Sequence, residues 1–336
     1  MRGPAARARA ADRPLLVPGK IAIEEHFVTP ELEDLVLNPG WPEDAFRRTL
    51  DRLEDFEGER LELMDRHGIA MQVLSLASDG IQGVDDASLA VARAREANDA
   101  LASVVASRPD RFAGFAAVAM QDPAAAAVEA ERAVSELGFR GVLVNGYSDG
   151  VPYYDDERYW GFWEMLDGLG VPFYLHPRNP LPSMREIYRG RPELLGPTWA
   201  FGVETATHAL RLIVSGLFDR FPSLQVILGH LGEGLPFQTY RLEQRLKRRA
   251  DVSLQRLPTV VLRENFYVSV SGNYHTPSLV GVLSELGPER VMFAADHPFE
   301  DVADGADWFD ALPLEPAVRE QIARGNAERV LQLAAV

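Results

Sequence analysis

Glu24, Glu25 and His26 close the run GKIAIEEHF (residues 19 to 27), an apolar stretch that reads as a buried strand yet ends in three groups that are costly to bury without partners. His176 ends VPFYLH, His230 ends LQVILGH and Asp296 ends RVMFAAD in the same way. Two imidazoles and two carboxylates brought to one axis by different strand ends form a ligand set for a divalent transition metal, with Glu24 and His26 sharing one strand. The chain has no cysteine, so disulfides, thiolate nucleophiles and thiolate metal sites are excluded. Nitrogen and oxygen donors without sulfur favour zinc or manganese, with iron and cobalt also compatible. Any one histidine at a strand end is more often a hydrogen-bonded structural residue. The convergence of four strand ends is what turns the reading toward metal chemistry.

That convergence requires an architecture that gathers strand ends. Eight candidate strands cover residues 20–26, 70–76, 112–119, 139–145, 171–176, 224–230, 266–272 and 290–296, and stretches of helical period lie between them. Strand then helix, repeated eight times, predicts an α/β fold of the (β/α)₈ barrel type, in which the C-terminal strand ends build the active site. Side chains two apart on a strand share a face, so Glu24 and His26 are expected to face the barrel axis while Glu25 faces the helix layer. Strand four ends in Asn145, and no lysine there can be carbamylated to bridge two ions, which favours one metal per subunit. The long irregular, acidic segment 28–57 follows the first strand, where a lid over the mouth would sit.

No linker divides residues 19–336, which are expected to form one barrel domain. Residues 1–18 are Arg- and Ala-rich and contain prolines, and read as a disordered extension rather than a targeting peptide. The 34 basic and 50 acidic side chains give a formal charge of −16, which argues against nucleic-acid and anionic-membrane partners. No apolar run approaches the roughly 20 residues needed to span a bilayer, so a cytoplasmic location is the default. Nucleotide-binding glycine loops and the serine-hydrolase elbow are absent. His67 and His208 fall in helical patterns and read as structural, His275 reads as a loop residue, and Trp160 with Trp163 reads as helix packing.

Taken in order, GKIAIEEHF, PFYLHPRNPLP, GPTWAF, LGHLGEGLPF and DHPFE closely resemble the metal-dependent aromatic acid decarboxylases of the amidohydrolase superfamily. The resemblance runs from about Gly19 to the C-terminus. It implies that Glu24, His26, His176 and Asp296 bind one divalent ion, and that His230 with Glu233 forms the family's strand-six pair. It further implies that Arg241 reaches the substrate of a neighbouring subunit in a homodimer or homotetramer. Trp199, Asn145 and Phe299 match substrate-pocket positions. His297 stands where related enzymes place Trp or Tyr, a departure that bears on substrate preference.

The activity so implied is non-oxidative loss of CO₂ from an ortho-hydroxylated aromatic acid of the dihydroxybenzoate or salicylate type. Direct loss of CO₂ would leave an in-plane aryl anion whose charge cannot enter the π system. Protonating the carboxylate-bearing carbon first avoids it, with an ionised ortho hydroxyl supplying electron density. Asp296 is the expected proton donor and His230, oriented by Glu233, its assistant, with His230 as the rival donor. The alternative activity is metal-assisted hydrolysis of an amide or lactone on the same barrel.

Overall fold

The computed structural model describes residues 16–148, 153–249 and 254–334; all but the last three residues of the expected extension 1–18 lie outside them. Eight apolar runs form parallel strands: β1 (Lys20–Phe27), β2 (Ile69–Leu76), β3 (Phe112–Gly114), β4 (Val142–Asn145), β5 (Phe173–His176), β6 (Val226–Leu228), β7 (Phe266–Ser269) and β8 (Val291–Met292). They pair as two arcs, β1-β2-β3 and β4-β5-β6-β7-β8. An Ala116–Val142 bridge joins β3 to β4. Backbone bonds from Ile23 to Phe293 (3.2 Å), from Asp296 to Glu24 (2.9 Å) and from His26 to His297 (2.8 Å) join the β8 side to β1. The sheet therefore closes into the (β/α)₈ barrel that the alternating sequence pattern predicts.

The inner and outer faces of each strand follow the two-residue period. Ala113 and Phe115, Tyr174, Ile227, Tyr267, and Met292 with Ala294 fill the barrel interior, while Phe112, Val142, Val144, Phe173 and Val226 pack outward under the helices. Strand β1 breaks that period once. Ile21 and Ile23 point inward and Ala22 outward, but the register with β2 slips between Ala22 (opposite Gln72) and Glu25 (opposite Leu74). This β-bulge sets two residues of β1 against one of β2, so Glu24 follows Ile23 on the inner side and His26 stays there. Glu25 and Phe27 are turned outward.

The helices come from the segments of helical period. They are α1 (Glu43–Leu53), α2 (Glu59–Arg66), α3 (Ala87–Ser107), α4 (Pro123–Ser135), α5 (Trp160–Leu169), α6 (Ala200–Val214), α7 (Leu217–Arg220), α8 (Thr239–Leu246), α9 (Pro258–Asn265), α10 (Thr276–Leu286), α11 (Val302–Ala311), α12 (Pro316–Glu320) and α13 (Asn326–Val330). Asp86 and Asp122 cap α3 and α4 by accepting backbone N–H bonds from the first turn. α12, a π turn at Gln321–Gly325 and α13 follow one another without a break. Two expectations need correction. The segment 28–57 is not irregular throughout, since α1 and a 3₁₀ turn at Pro30–Leu35 lie within it. The ladders of β6 and β8 also stop early, so His230 lies two residues past Leu228 and Asp296 four past Met292.

Candidate metal centre and active site

Glu24 and His26 from β1, His176 from β5 and Asp296 from the segment after β8 are all buried, and one ligand atom from each lies within 4.8 Å of the others. Supporting contacts aim each ligand. One Glu24 oxygen, Oε2, accepts hydrogen bonds from the hydroxyls of Tyr174, Ser269 and Ser271. His26 Nδ1 lies 3.2 Å from Ser75 Oγ, and His176 Nδ1 lies 2.8 Å from Asn145 Oδ1. Both imidazoles therefore turn Nε2 toward the centre, with the other nitrogen fixing the ring. Glu24 Oε1, His26 Nε2 and Asp296 Oδ1 are buried without a well-formed hydrogen bond, and the last two face each other at 3.1 Å. Bare buried donors are costly unless something completes them, and two nitrogens with two carboxylate oxygens fit a divalent cation. Burial holds the His176 imidazole well below its usual pKa, with His26 adding to the shift, which leaves a neutral ring with a free lone pair.

Gly229 makes room for this cluster. A Cβ at that position would lie 2.7 Å from Glu24 Oε1, so no larger residue fits without displacing the carboxylate. The next residues, His230, Leu231, Gly232, Glu233 and Gly234, all have positive φ. This left-handed turn folds Glu233 back onto His230, and Glu233 Oε1 lies 2.8 Å from His230 Nδ1. His230 Nε2 then faces the ligands, 3.5 Å from Asp296 Oδ2 and 3.9 Å from Glu24 Oε1. Burial disfavours the imidazolium, but the charges of Glu233 and Glu24 and hydrogen bonds to Asp296 and Glu233 outweigh it and hold the His230 pKa well above its usual value. Asp296 shows the opposite balance. Burial alone would raise its carboxyl, yet the adjacent His230 and His26 imidazoles, 3.5 and 3.1 Å away, hold it below the usual carboxylate range.

A cavity of about 760 Å³ opens onto this group. His176, His230, Glu233, Asp296, Phe299 and Glu300 form its inner wall, and Val36, Leu37, Trp41 and Phe46 reach over it from the segment between β1 and α2. Asp79 and Trp199 also line it, and no lysine or arginine does so among the described residues. The volume suits a small ligand with room to spare. Largely apolar walls, one aromatic edge beside the candidate metal ligands (Phe299, 5.4 Å from the His26 ring) and a carboxylate–imidazole pair suit a flat aromatic ligand.

The amidohydrolase family model matches residues 21–333. The chain belongs to the amidohydrolase family. It is 49% identical over 327 residues to a gamma-resorcylate decarboxylase of Polaromonas sp. (strain JS666 / ATCC BAA-500), covering 94% of this chain and 99% of that protein. Its fold matches the crystal structure of a 2,6-dihydroxybenzoate decarboxylase complexed with 2,6-dihydroxybenzoate, with a TM-score of 0.90 and 46% identity over 94% of this chain and 100% of that one. A dihydroxybenzoic acid decarboxylase from Polaromonas sp. JS666, with bound manganese and the inhibitor 2-nitroresorcinol, gives a TM-score of 0.90 at 46% identity, covering 94% of this chain and 98% of that one.

In this amidohydrolase, Trp199 and Phe299 stand on the cavity wall, and three other residues expected to meet substrate stand off it. Asn145 is occupied in holding His176 Nδ1, while its Nδ2 donates to the Leu76 carbonyl (3.2 Å). His297 is buried outside the cavity, on the outer side near Arg60 and Arg52, where the alternation of Met292 and Ala294 inward with Phe293 and Ala295 outward continues to place it. Burial, reinforced by those two cations, keeps its imidazole pKa well below the usual value. Arg241 is exposed on α8 and does not line this chain's own cavity. Sequence reasoning missed Tyr174, Ser269, Ser271 and Ser75. The serines of VSVS at 268–271 alternate toward the axis and carry a readable signal; Tyr174, two residues before His176, shares its face.

Proposed function

We propose that this protein is a metal-dependent carboxy-lyase that removes CO₂ from an ortho-hydroxylated aromatic acid of the 2,6-dihydroxybenzoate type. The observation that carries this reading is the His230–Glu233 pair, set 3.5 Å from Asp296 at the floor of an apolar cavity, beside Glu24, His26 and His176. When bound, a divalent ion, manganese or zinc, would be held by Glu24, His26, His176 and Asp296 and would supply positive charge toward the substrate's carboxylate and ortho oxygen.

The chain's own residues carry the proton. Asp296 Oδ2, once protonated, delivers its proton to the ring carbon that bears the carboxylate. The bond from that carbon to the carboxylate then breaks, CO₂ leaves, and the electron pair of the broken bond restores the aromatic ring. His230 Nε2 is placed to pass a proton to Asp296, and Glu233 fixes its orientation through Nδ1. Phe299, Trp199 and the residues of the lid segment confine the ring and exclude water. Net consumption is one proton per CO₂ released.

Asp79, Glu233, Asp296 and Glu300 are the charged groups on an otherwise largely apolar lining, which leaves the substrate carboxylate without a lysine or arginine from its own chain among the described side chains. We therefore propose that Arg241 acts on a partner's substrate in a homodimer or homotetramer. Its exposure beside Phe237 and Tyr240, 55% and 78% exposed, supports that placement. Arg241→Ala should raise KM for the acid without disturbing metal content, and full activity in a monomer would refute the role. Among the described residues no helix is long and apolar enough to cross a membrane, and we place the enzyme in the cytoplasm. The defining assay offers the manganese-loaded protein 2,6-dihydroxybenzoate, 2,3-dihydroxybenzoate and salicylate, with lactones and amides alongside. CO₂ release from the hydroxybenzoates is expected, and turnover of the hydrolysable compounds alone would reverse the assignment.

A further inference from the structure

Glu25 lies between two residues assigned to the metal and is itself turned away from the axis, fully buried. Its carboxylate meets N–H donors on both oxygens. Oε1 accepts from the Ala295 backbone N–H at 2.7 Å, and Oε2 accepts from the His297 backbone N–H at 3.2 Å. Those two amides flank Asp296, whose φ of 56° is a conformation that residues with a Cβ rarely adopt. Asp296 N–H meanwhile donates to the Glu24 carbonyl at 2.9 Å. Three successive amides after β8 are thus tied to β1, two of them by one side chain.

Behind Glu25 stands Arg60 on α2, also buried. Gln72 links the two, donating from Nε2 to Glu25 Oε2 (3.2 Å) and accepting from Arg60 Nη1 (3.1 Å). Arg60 also donates to the carbonyl of His26 (2.8 Å) and to those of Arg52 (3.1 Å) and Leu53 (3.3 Å) at the end of α1. One chain of contacts therefore runs from the lid helix through Arg60, Gln72 and Glu25 to the backbone on both sides of Asp296.

We infer that Glu25 is a positioning residue that holds Asp296 in its left-handed turn, with Arg60 and Gln72 as its anchor, and so sets the direction of the Asp296 carboxylate toward His26 and His230. A neutral amide at position 25 accepts on one oxygen only and presents an NH₂ group to donors, so it cannot hold both flanking amides. The Asp296 carboxylate then samples directions other than the one that completes the ligand set. The inference rests on the metal reading of the site and not on the decarboxylase chemistry.

The test is Mn²⁺ binding to metal-free protein, followed by loss of the free-ion electron paramagnetic resonance signal, for the wild type and Glu25→Gln. The variant should bind about 10- to 100-fold more weakly, with a changed line shape for the bound ion. Glu24→Gln should lose more still. A folded Glu25→Gln protein with a lower melting temperature but wild-type affinity and line shape has a structural carboxylate only, and overturns the inference. A wild type that takes up no Mn²⁺ overturns the metal reading and this inference with it. If Glu25→Gln does not fold, Gln72→Leu, which leaves both amide contacts in place but cuts the link to Arg60, should weaken Mn²⁺ binding in the same direction, and unchanged binding there counts against the inference equally.

Discussion

Glu24 is prepared for a cation by what surrounds each of its oxygens. Three hydroxyls saturate Oε2, and Oε1 is left bare toward the two histidines. The side chain is therefore pinned, and it cannot swing aside when the space next to it is filled. Gly229→Ala places a methyl group 2.7 Å from Oε1, so the substitution should cost at least about tenfold in Mn²⁺ affinity while the barrel still forms. Isothermal titration of metal into the variant checks this, and unchanged affinity would mean that the carboxylate is not held as described. Histidines and acids at strand ends were legible in the sequence because apolar runs rarely finish that way. For the hydroxyls of Tyr174, Ser269 and Ser271 the alternation in the sequence gives a face but not a role, since a Ser or Tyr in a strand has many uses and only the shared target, Glu24, assigns one. His297 is a different case: neighbouring Asp296 in sequence suggests a place in the pocket, but the two-residue period that turns Met292, Ala294 and Asp296 inward turns it away.

Element by element, the barrel could be read from eight alternations of apolar run and helical period, and the strand faces from the period of two. The bulge in β1 could not. Two-residue spacing places Glu24 with His26 correctly, but it would also set Glu24 opposite Ile23, and only the slip against β2 puts all four of Ile21, Ile23, Glu24 and His26 inside. Short ladders at β6 and β8 have the same origin, because the chain leaves regular pairing to turn His230 and Asp296 into the mouth. The lid segment packs Val36, Leu37, Trp41 and Phe46 against the cavity, with Trp41 still 40% exposed. Removing that indole takes one aromatic contact from the substrate and little from the fold. Trp41→Ala should raise KM by a factor of roughly 2 to 10, the worth of one aromatic contact, with kcat and melting temperature nearly unchanged. Steady-state kinetics decide it, and a large fall in stability would mean that the indole belongs to the core instead.

For the whole molecule, the metal is also a fold ligand. Four buried groups from β1, β5 and the β8 segment come together with three ligand atoms lacking a well-formed hydrogen bond, so the closed barrel binds the ion far better than the unfolded chain does. A ligand present at a hundred times its Kd stabilises by about 2.7 kcal/mol. Chelation should lower the melting temperature by roughly 3 to 8 °C, and added Mn²⁺ should restore it; a melting curve indifferent to both would remove the metal from the account. The charge of −16 fits a small-molecule enzyme better than a polyanion binder. The acidic cavity wall was not legible in the sequence, because Asp79 and Glu300 reach it only through folding.

The role of Asp296 is the claim on which the proposed chemistry turns. The decisive measurement is release of labelled CO₂ from carboxyl-labelled 2,6-dihydroxybenzoate by wild type and Asp296→Asn, both assayed with their manganese content measured and matched. The wild type should turn over and the variant should be slower by about a thousandfold, within the range for loss of a general acid. Near-equal rates at equal metal content would contradict the account.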